Sequence, residues 1–367
     1  MWDPFGSEDS ISRIAEAVRN APSVFGSQPW SLRIVSGDRI ELRANSGQRD
    51  GINRGEWARW NDTTADPDPL TREFAISCGA ALYNLRLAIR VAGHEANQWL
   101  LPDPGRDPDL LASVEIVTSR TKEPSFALRE MCEAMWLRHT GHEPFLAPVP
   151  MSLVVAMETA AAKEHASLRL MHRPEVRAWL RAVAKADAAL SAGQGLNTER
   201  ARSFRSRRDR LLSAAGAAGE FAMDKRARHG VRLPRLTARF EPQLMSLGTE
   251  DDRPLDWLRA GEALQHAILT ATRHSMSVRY GMPSADGTSS RYGVAVSFLT
   301  QPLEVADINL ASRRSRWSSW TRYGEVPQMV MRTGYAPVLP VTPYLIKPDV
   351  TDDRPAPVIG ERRGAVV

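Results

Sequence analysis

Apolar and polar residues follow a regular pattern in three stretches of the first 93 positions of the chain. Residues 7–20 carry an apolar stripe with a 3.6-residue period, which predicts an amphipathic helix. Residues 31–44 alternate between apolar and polar around a Ser-Gly-Asp turn, which predicts a β-hairpin. A longer stripe over residues 71–93 predicts a second helix.

A second cycle of elements begins near residue 125. Its periodic stretches, together with those before it, predict helices at 128–136, 152–164, 174–191 and 256–275 and strands at 113–119 and 294–298. Hairpins, long helices and late strands in this order indicate an α+β fold. An Arg-rich stretch near 195–245 breaks the pattern, and is either a solvated helix face with a long loop or a lid over an anionic ligand. The tail at 348–367 is rich in Asp, Pro and Arg and is predicted to be disordered.

Composition narrows the functional classes. The net charge of the 367-residue chain is only +5 and is spread out, which argues against nucleic acid as a partner. Two cysteines, Cys78 and Cys132, lie in apolar helical surroundings and are typical of buried thiols in a reducing compartment. No secretory leader or 18-residue apolar run is visible, so we expect a cytoplasmic protein without membrane contact.

The sequence contains no convincing metal-binding or nucleotide-binding motif. His139 and His142 are three apart and precede Glu143, but Gly141 and Pro144 disfavour a helix there and no third ligand follows, so no metal site is predicted. The glycine-rich signatures of dinucleotide and phosphate loops are also missing from the sequence.

The segment at residues 21–30 is the strongest candidate for ligand binding. Pro22 and Pro29 bracket it, and Ser23 offers a hydroxyl beside exposed main-chain N–H groups. Gly26 would let a ligand approach the backbone closely. Such a loop suits a flat ligand with a polar edge, although a Pro-rich turn into a strand has the same pattern.

Five blocks of sequence, in order along the chain, resemble one protein family. They are residues 21–30, 72–82, 256–265, 297–304 and 327–335. Together they resemble the Acg-type proteins of actinobacteria, a branch of the FMN-binding nitroreductase superfamily. The resemblance implies a nitroreductase-like fold with two similar halves, residues 1–124 and 125–347, fused as a pseudo-dimer within one chain.

The resemblance also implies where FMN would lie, since nitroreductases hold the flavin between their two subunits. Arg138 and Lys347 would face the phosphate, and the segment from Leu299 to Gln301 would face the N5/O4 edge of the flavin ring. The full set of predicted cofactor-binding residues is Pro22, Ser23, Phe25, Gly26, Arg138, Thr140, Leu299, Thr300, Gln301 and Lys347.

Several positions depart from the family pattern. His142 stands where the family has a second Arg, and Glu143 would repel a phosphate. Phe25, Gly26 and Tyr344 replace other polar groups of the family's flavin site. His142 and Glu143 are titratable and near the predicted pocket, so they are also the candidate catalytic acid or base.

These observations lead to one leading function and two alternatives. The leading function is an FMN-dependent oxidoreductase that acts on a small organic substrate of specialised metabolism with NAD(P)H as electron donor. The alternatives are a non-catalytic flavin-sequestering protein and a re-purposed biosynthetic enzyme that does not hold FMN. We expect a monomer or a weak homo-oligomer.

Overall fold

The computed structural model describes residues 8–23, 27–45, 69–118, 123–138, 147–176, 243–281, 292–298, 325–337 and 350–352. The helices in these ranges are α1 (Glu8–Arg19), α2 (Pro69–Val91), α3 (Phe126–Leu137), α4 (Met151–Lys163) and α5 (Pro254–Gly281). The strands are β1 (Trp30–Ile34), β2 (Arg39–Ala44), β3 (Glu95–Leu100), β4 (Leu110–Thr118), β5 (Ser167–Leu170), β6 (Gln243–Thr249), β7 (Tyr292–Phe298), β8 (Val326–Pro337) and β9 (Val350–Asp352).

Local sequence accounts for where several elements begin. Ser125 precedes α3, and its Oγ accepts a hydrogen bond from the main-chain N–H of Leu128. In the first turn of α5, the carboxylate of Asp256 accepts from the N–H of Arg253, the residue just before the helix, at 3.2 Å. The predicted hairpin and the predicted helices that became α1 to α5 are confirmed within one to six residues at their ends. Most of the helix predicted at 174–191 lies outside the described residues.

The strands form two sheets, which confirms the α+β class. The first sheet has the order β3-β4-β2-β1-β9 and the second has the order β5-β6-β8-β7. Neighbouring strands are antiparallel except β1 and β9, which pair in parallel with Leu32 opposite Val350. The disorder predicted after residue 348 is therefore wrong for residues 350–352. The strand β6 likewise begins at Gln243, within the segment expected to be irregular.

Helices α2 and α5 cross at the centre of the core, where Gly79 and Gly261 face each other. A Cβ atom at Gly79 would collide with the main-chain oxygen of Leu258, and one at Gly261 would collide with that of Ile76. Glycine at both positions therefore permits the close approach of the two backbones. One apolar cluster surrounds the crossing and takes in side chains of both sheets.

The contacts across this crossing are reciprocal. Ile76 lies three residues before Gly79 on α2, and Leu258 lies three residues before Gly261 on α5. Gly79 contacts the main-chain oxygen of Leu258, and Gly261 contacts that of Ile76. Four and five residues after each glycine stand Tyr83 and Asn84 on α2, and Gln265 and His266 on α5. Gln265 donates to Asn84 at 2.7 Å, and Tyr83 stacks on His266 with ring centroids 4.8 Å apart. Equivalent positions thus exchange contacts, as they do about a two-fold axis.

Among the helices that the structure describes, one is long and apolar enough to cross a membrane, the part of α2 from Arg72 to Val91. In this structure 78% of the qualifying window is buried inside the protein. Its apolar surface is used against α5 and the first sheet, as in the core helix of a globular domain.

Candidate functional site

The loop that follows α1 is closed by two hydrogen bonds from Gln28. The N–H of Gln28 donates to Ser23 Oγ at 3.1 Å, and its side-chain amide donates to the main-chain oxygen of Arg19 at 3.4 Å. Gln28 adopts a left-handed backbone conformation with φ of 47°, which is uncommon outside glycine. Pro22 is buried and Ser23 is half-buried, so the start of the loop is fixed against the core.

Arg138 approaches this loop from the C-terminal end of α3. It follows the last residue of α3, and its own N–H caps the helix by donating to Ala134 O at 2.9 Å. Its guanidinium Nε donates to the main-chain oxygen of Asn20 at 3.3 Å, and the residue is only 7% exposed. The structure therefore brings Arg138 beside the segment that leads directly into Pro22 and Ser23.

The other predicted site residues are not among the described ones. Outside the described ranges lie Phe25, Gly26, Thr140, His142, Glu143, Leu299, Thr300, Gln301, Tyr344 and Lys347. The arginines of the Arg-rich stretch near 195–245 also lie outside the described ranges.

Three of the family-resembling blocks meet around Asp252. Its carboxylate binds Arg72 Nη2 at 2.6 Å and accepts from the indole N–H of Trp257 at 2.7 Å. Gln328 donates to Thr249 Oγ1 at 2.8 Å and comes within 3.4 Å of the same carboxylate. This cluster ties the first turns of α2 and α5 to β8, so a structural role accounts for these block residues.

A second polar cluster, here called the Arg86 cluster, lies farther along α2 and α5. Arg86 Nη1 binds Glu262 Oε1 at 2.6 Å and Glu164 Oε2 at 2.8 Å. His266 Nδ1 lies 2.9 Å from the other oxygen of Glu164. Gln98 on β3 donates to Glu262 at 3.4 Å. The cluster thus joins four elements: α2, the end of α4, α5 and β3.

Burial and pairing push the two carboxyl groups in opposite directions. Glu262 is 2% exposed, and burial raises its pKa to about 7 although Arg86 opposes the change. Burial also acts to raise the pKa of Glu164, but the hydrogen bond from His266 and the charge of Arg86 lower it overall. The two carboxylates in turn raise the pKa of Arg86, whose charge is kept despite its burial.

The sequence analysis did not identify this cluster. Its only signal was the presence of charged residues inside otherwise apolar helical stretches, at Arg86 and Glu262. Burial raises the pKa of both cysteines. The interpretation as a buried thiol is confirmed for Cys78, whereas Cys132 is only partly buried. In the part of the chain that the structure describes, no three His, Cys, Asp or Glu side chains are placed to hold a metal ion.

Comparison with known proteins gives a consistent picture. No family model matches the chain. It is 27% identical over 356 residues to a Mycobacterium tuberculosis protein named "Putative NAD(P)H nitroreductase", covering 92% of this chain and 90% of the relative. It is 25% identical over 351 residues to an uncharacterized protein of the same organism, covering 88% and 86%. A third relative there, "Putative NAD(P)H nitroreductase acg", is 30% identical over 154 residues, or 42% of this chain. The chain is therefore nitroreductase-like over most of its length.

Proposed function

We propose that this protein is an FMN-dependent oxidoreductase of the nitroreductase type, which passes electrons from NAD(P)H to a small organic substrate. The similarity to relatives named NAD(P)H nitroreductases over nine-tenths of the chain supports the reaction class. The observation that carries the cofactor proposal is the hydrogen bond from Arg138 to Asn20, which joins a cation of residues 125–347 to the loop of residues 1–124.

We also propose that the two parts of the chain form a pseudo-dimer. Support comes from the reciprocal contacts of α2 and α5, since exchange of contacts between equivalent positions is the mark of a two-fold interface. Both helices carry the pattern Gly-x-Ala-Leu at the crossing, at residues 79–82 and 261–264. A flavin site between the two halves would then be built from both of them.

The hydrogen-bond donors in the described part of the site are of the kinds that FMN requires. The Ser23 hydroxyl accepts from Gln28 and keeps its own proton to donate to a ligand. Arg138 supplies a guanidinium, the group best suited to a phosphate. When bound, FMN would supply hydride transfer between NAD(P)H and the substrate.

The protein's part in this proposal is to bind and orient. Arg138 and Lys347 would hold the phosphate, and Gln301 with its neighbours would face the reactive edge of the ring. His142 and Glu143 would hold or move the proton that accompanies reduction of the substrate. Pro22, Ser23, Phe25, Gly26, Thr140, Leu299 and Thr300 would complete the walls.

Titration of the protein with FMN tests the proposal. Arg138→Ala should weaken FMN binding by about 1.5–3 kcal/mol, the range for a hydrogen bond to a charged group, or about tenfold or more. Arg33→Ala is the matched control, because Arg33 is 43% exposed on the first sheet and should leave the affinity unchanged. An equal affinity in wild type and Arg138→Ala would place the phosphate elsewhere. Bleaching of the bound flavin by NAD(P)H would establish the electron donor.

One observation favours the alternative of a weak or absent flavin. The Nε of Arg138 already donates to a main-chain oxygen, at a point where α1 and α3 both end. The C-terminal ends of helices carry partial negative charge, which disfavours a phosphate. A flavin that binds but is not reduced by NAD(P)H would indicate a sequestering protein. No binding at millimolar FMN would exclude the oxidoreductase and leave a re-purposed enzyme.

A further inference from the structure

The Arg86 cluster joins the two halves of the chain to each other. Arg86 and Gln98 belong to residues 1–124, whereas Glu164, Glu262 and His266 belong to residues 125–347. The ion pairs at 2.6 and 2.8 Å therefore run between the halves, next to the crossing of α2 and α5.

The cluster is present on only one side of that crossing. The reciprocal contacts define equivalent positions, so that Ala80 corresponds to Glu262 and Ile268 corresponds to Arg86. Ala80 is fully buried and Ile268 is 2% exposed. The contact that is an ion pair on one side thus corresponds to two buried apolar positions on the other.

We propose that the Arg86 cluster selects the pairing of unlike halves, and so prevents two copies of this chain from joining through like halves. Pairing of two second halves would place each Glu262 against an Ile268. Pairing of two first halves would place each Arg86 against an Ala80. The first arrangement buries Glu262 without its partner, and the second leaves Arg86, whose side chain is 27% exposed, without its carboxylates. Only the unlike pairing puts the carboxylates beside the guanidinium.

The burial of the cluster makes this selection effective. Glu262 is 2% exposed and Glu164 is 8% exposed at its side chain, so neither carboxylate can turn to water if Arg86 is missing. Buried polar groups are known to fix partner and register in helix interfaces, at a cost to stability. The inference rests on the proposed two-half arrangement but is independent of FMN, so the flavin titration and the test below can fail separately.

The first test makes the crossing symmetric. The double variant Arg86→Ile/Glu262→Ala gives both sides the same residues, alanine and isoleucine, at the equivalent positions. Wild type and variant are unfolded and refolded over a range of protein concentrations. Their molar masses are then measured by light scattering after gel filtration. The variant should dimerise with a dissociation constant at least about a hundredfold below that of the wild type. The control Leu82→Ala, a buried truncation on α2 that keeps the cluster, should remain as monomeric as the wild type.

A spin label distinguishes the kind of dimer. A label at Arg259→Cys, in a Cys132→Ala background, lies two residues from Gly261 on α5. Dimers of like halves bring two such labels to one crossing and give strong dipolar coupling, whereas monomers give none. A variant that stays monomeric, or that dimerises no more than Leu82→Ala, overturns the proposal.

A second test applies if the double variant of the first test does not fold. Arg86→Glu and Glu262→Arg each place like charges at the crossing, but they are complementary to each other when two chains exchange halves. Refolding the two variants together should give a heterodimer that carries both tags. A mixture in which no heterodimer forms contradicts the proposal.

Discussion

Replacement of Arg86 by methionine should show how much the protein depends on one partly buried cation between two buried carboxylates. Methionine keeps much of the side chain's length and apolar volume but removes the charge between Glu164 and Glu262. Breaking a buried ion pair by removing one partner costs about 3–5 kcal/mol, because the remaining charge is left without compensation. We expect a loss of that size in the free energy of unfolding at pH 8.

The loss should be smaller in mild acid. The pKa of Glu262 is raised to about 7 in the folded protein, above its ordinary value of 4.5, so the folded state favours the protonated form. The stability that this group contributes is fully present below pH 4.5 and is lost as the pH rises through 7. At pH 5.5 Glu262 is already neutral and has no charge to leave unpaired. The remaining cost is the lost bond to Glu164, about 1.5–3 kcal/mol for a bond to a charged group.

Urea unfolding followed by circular dichroism at pH 5.5 and 8 measures both values. Arg33→Met is the control, since the Arg33 ion pair to Glu41 is 3.7 Å long and Arg33 is 43% exposed, and it should change stability by less than about 1 kcal/mol. The double variant Arg86→Met/Glu262→Leu should recover the part of the loss that the unpaired Glu262 causes, and should keep the cost of the lost bond to Glu164. A loss below 1 kcal/mol at pH 8, or an equal loss at both pH values, would refute this account of the cluster.

Further substitutions test neighbouring features. Glu262→Gln should flatten the dependence of melting temperature on pH between 4.5 and 7, because it removes the group that takes up a proton on folding; a slope like that of the wild type would contradict the raised pKa. Gly261→Ala should destabilise by at least about 1–3 kcal/mol in urea, whereas Gly105→Ala, with nothing within 4 Å of the new Cβ, should stay within about 0.5 kcal/mol. Thiol labelling in the native state should modify Cys132 before Cys78, which is fully buried; equal rates would count against the core arrangement.

The sequence predicted elements whose periodicity is carried by their own residues. Helix α2 was expected at residues 71–93 because its apolar stripe is long and unbroken. The hairpin of β1 and β2 was expected because its alternation and its turn lie next to each other. In both cases the burial pattern can be read from a single local window.

The elements and contacts that were missed depend on distant partners. Strand β3 has a mixed sequence, Glu95–Leu100, because it lies at a sheet edge with alternate residues exposed. Strand β9 has only three residues and exists through its pairing with β1. Arg86 and Glu262 are 176 residues apart in sequence, and no local pattern indicates that they meet. For the candidate site, the prediction that lies within the described residues is limited to Pro22, Ser23 and Arg138.

The parallel pairing of β9 with β1 has a practical consequence for handling the protein. Strand β1 has β2 on one side, and residues Leu32 to Ile34 would present open N–H and C=O groups on the other without Val350–Asp352. Open strand edges of this kind recruit strands from other molecules and lead to aggregation. Expression designs that trim the C-terminus should therefore keep the chain through Asp352, and an affinity tag is better placed beyond that strand than directly against it.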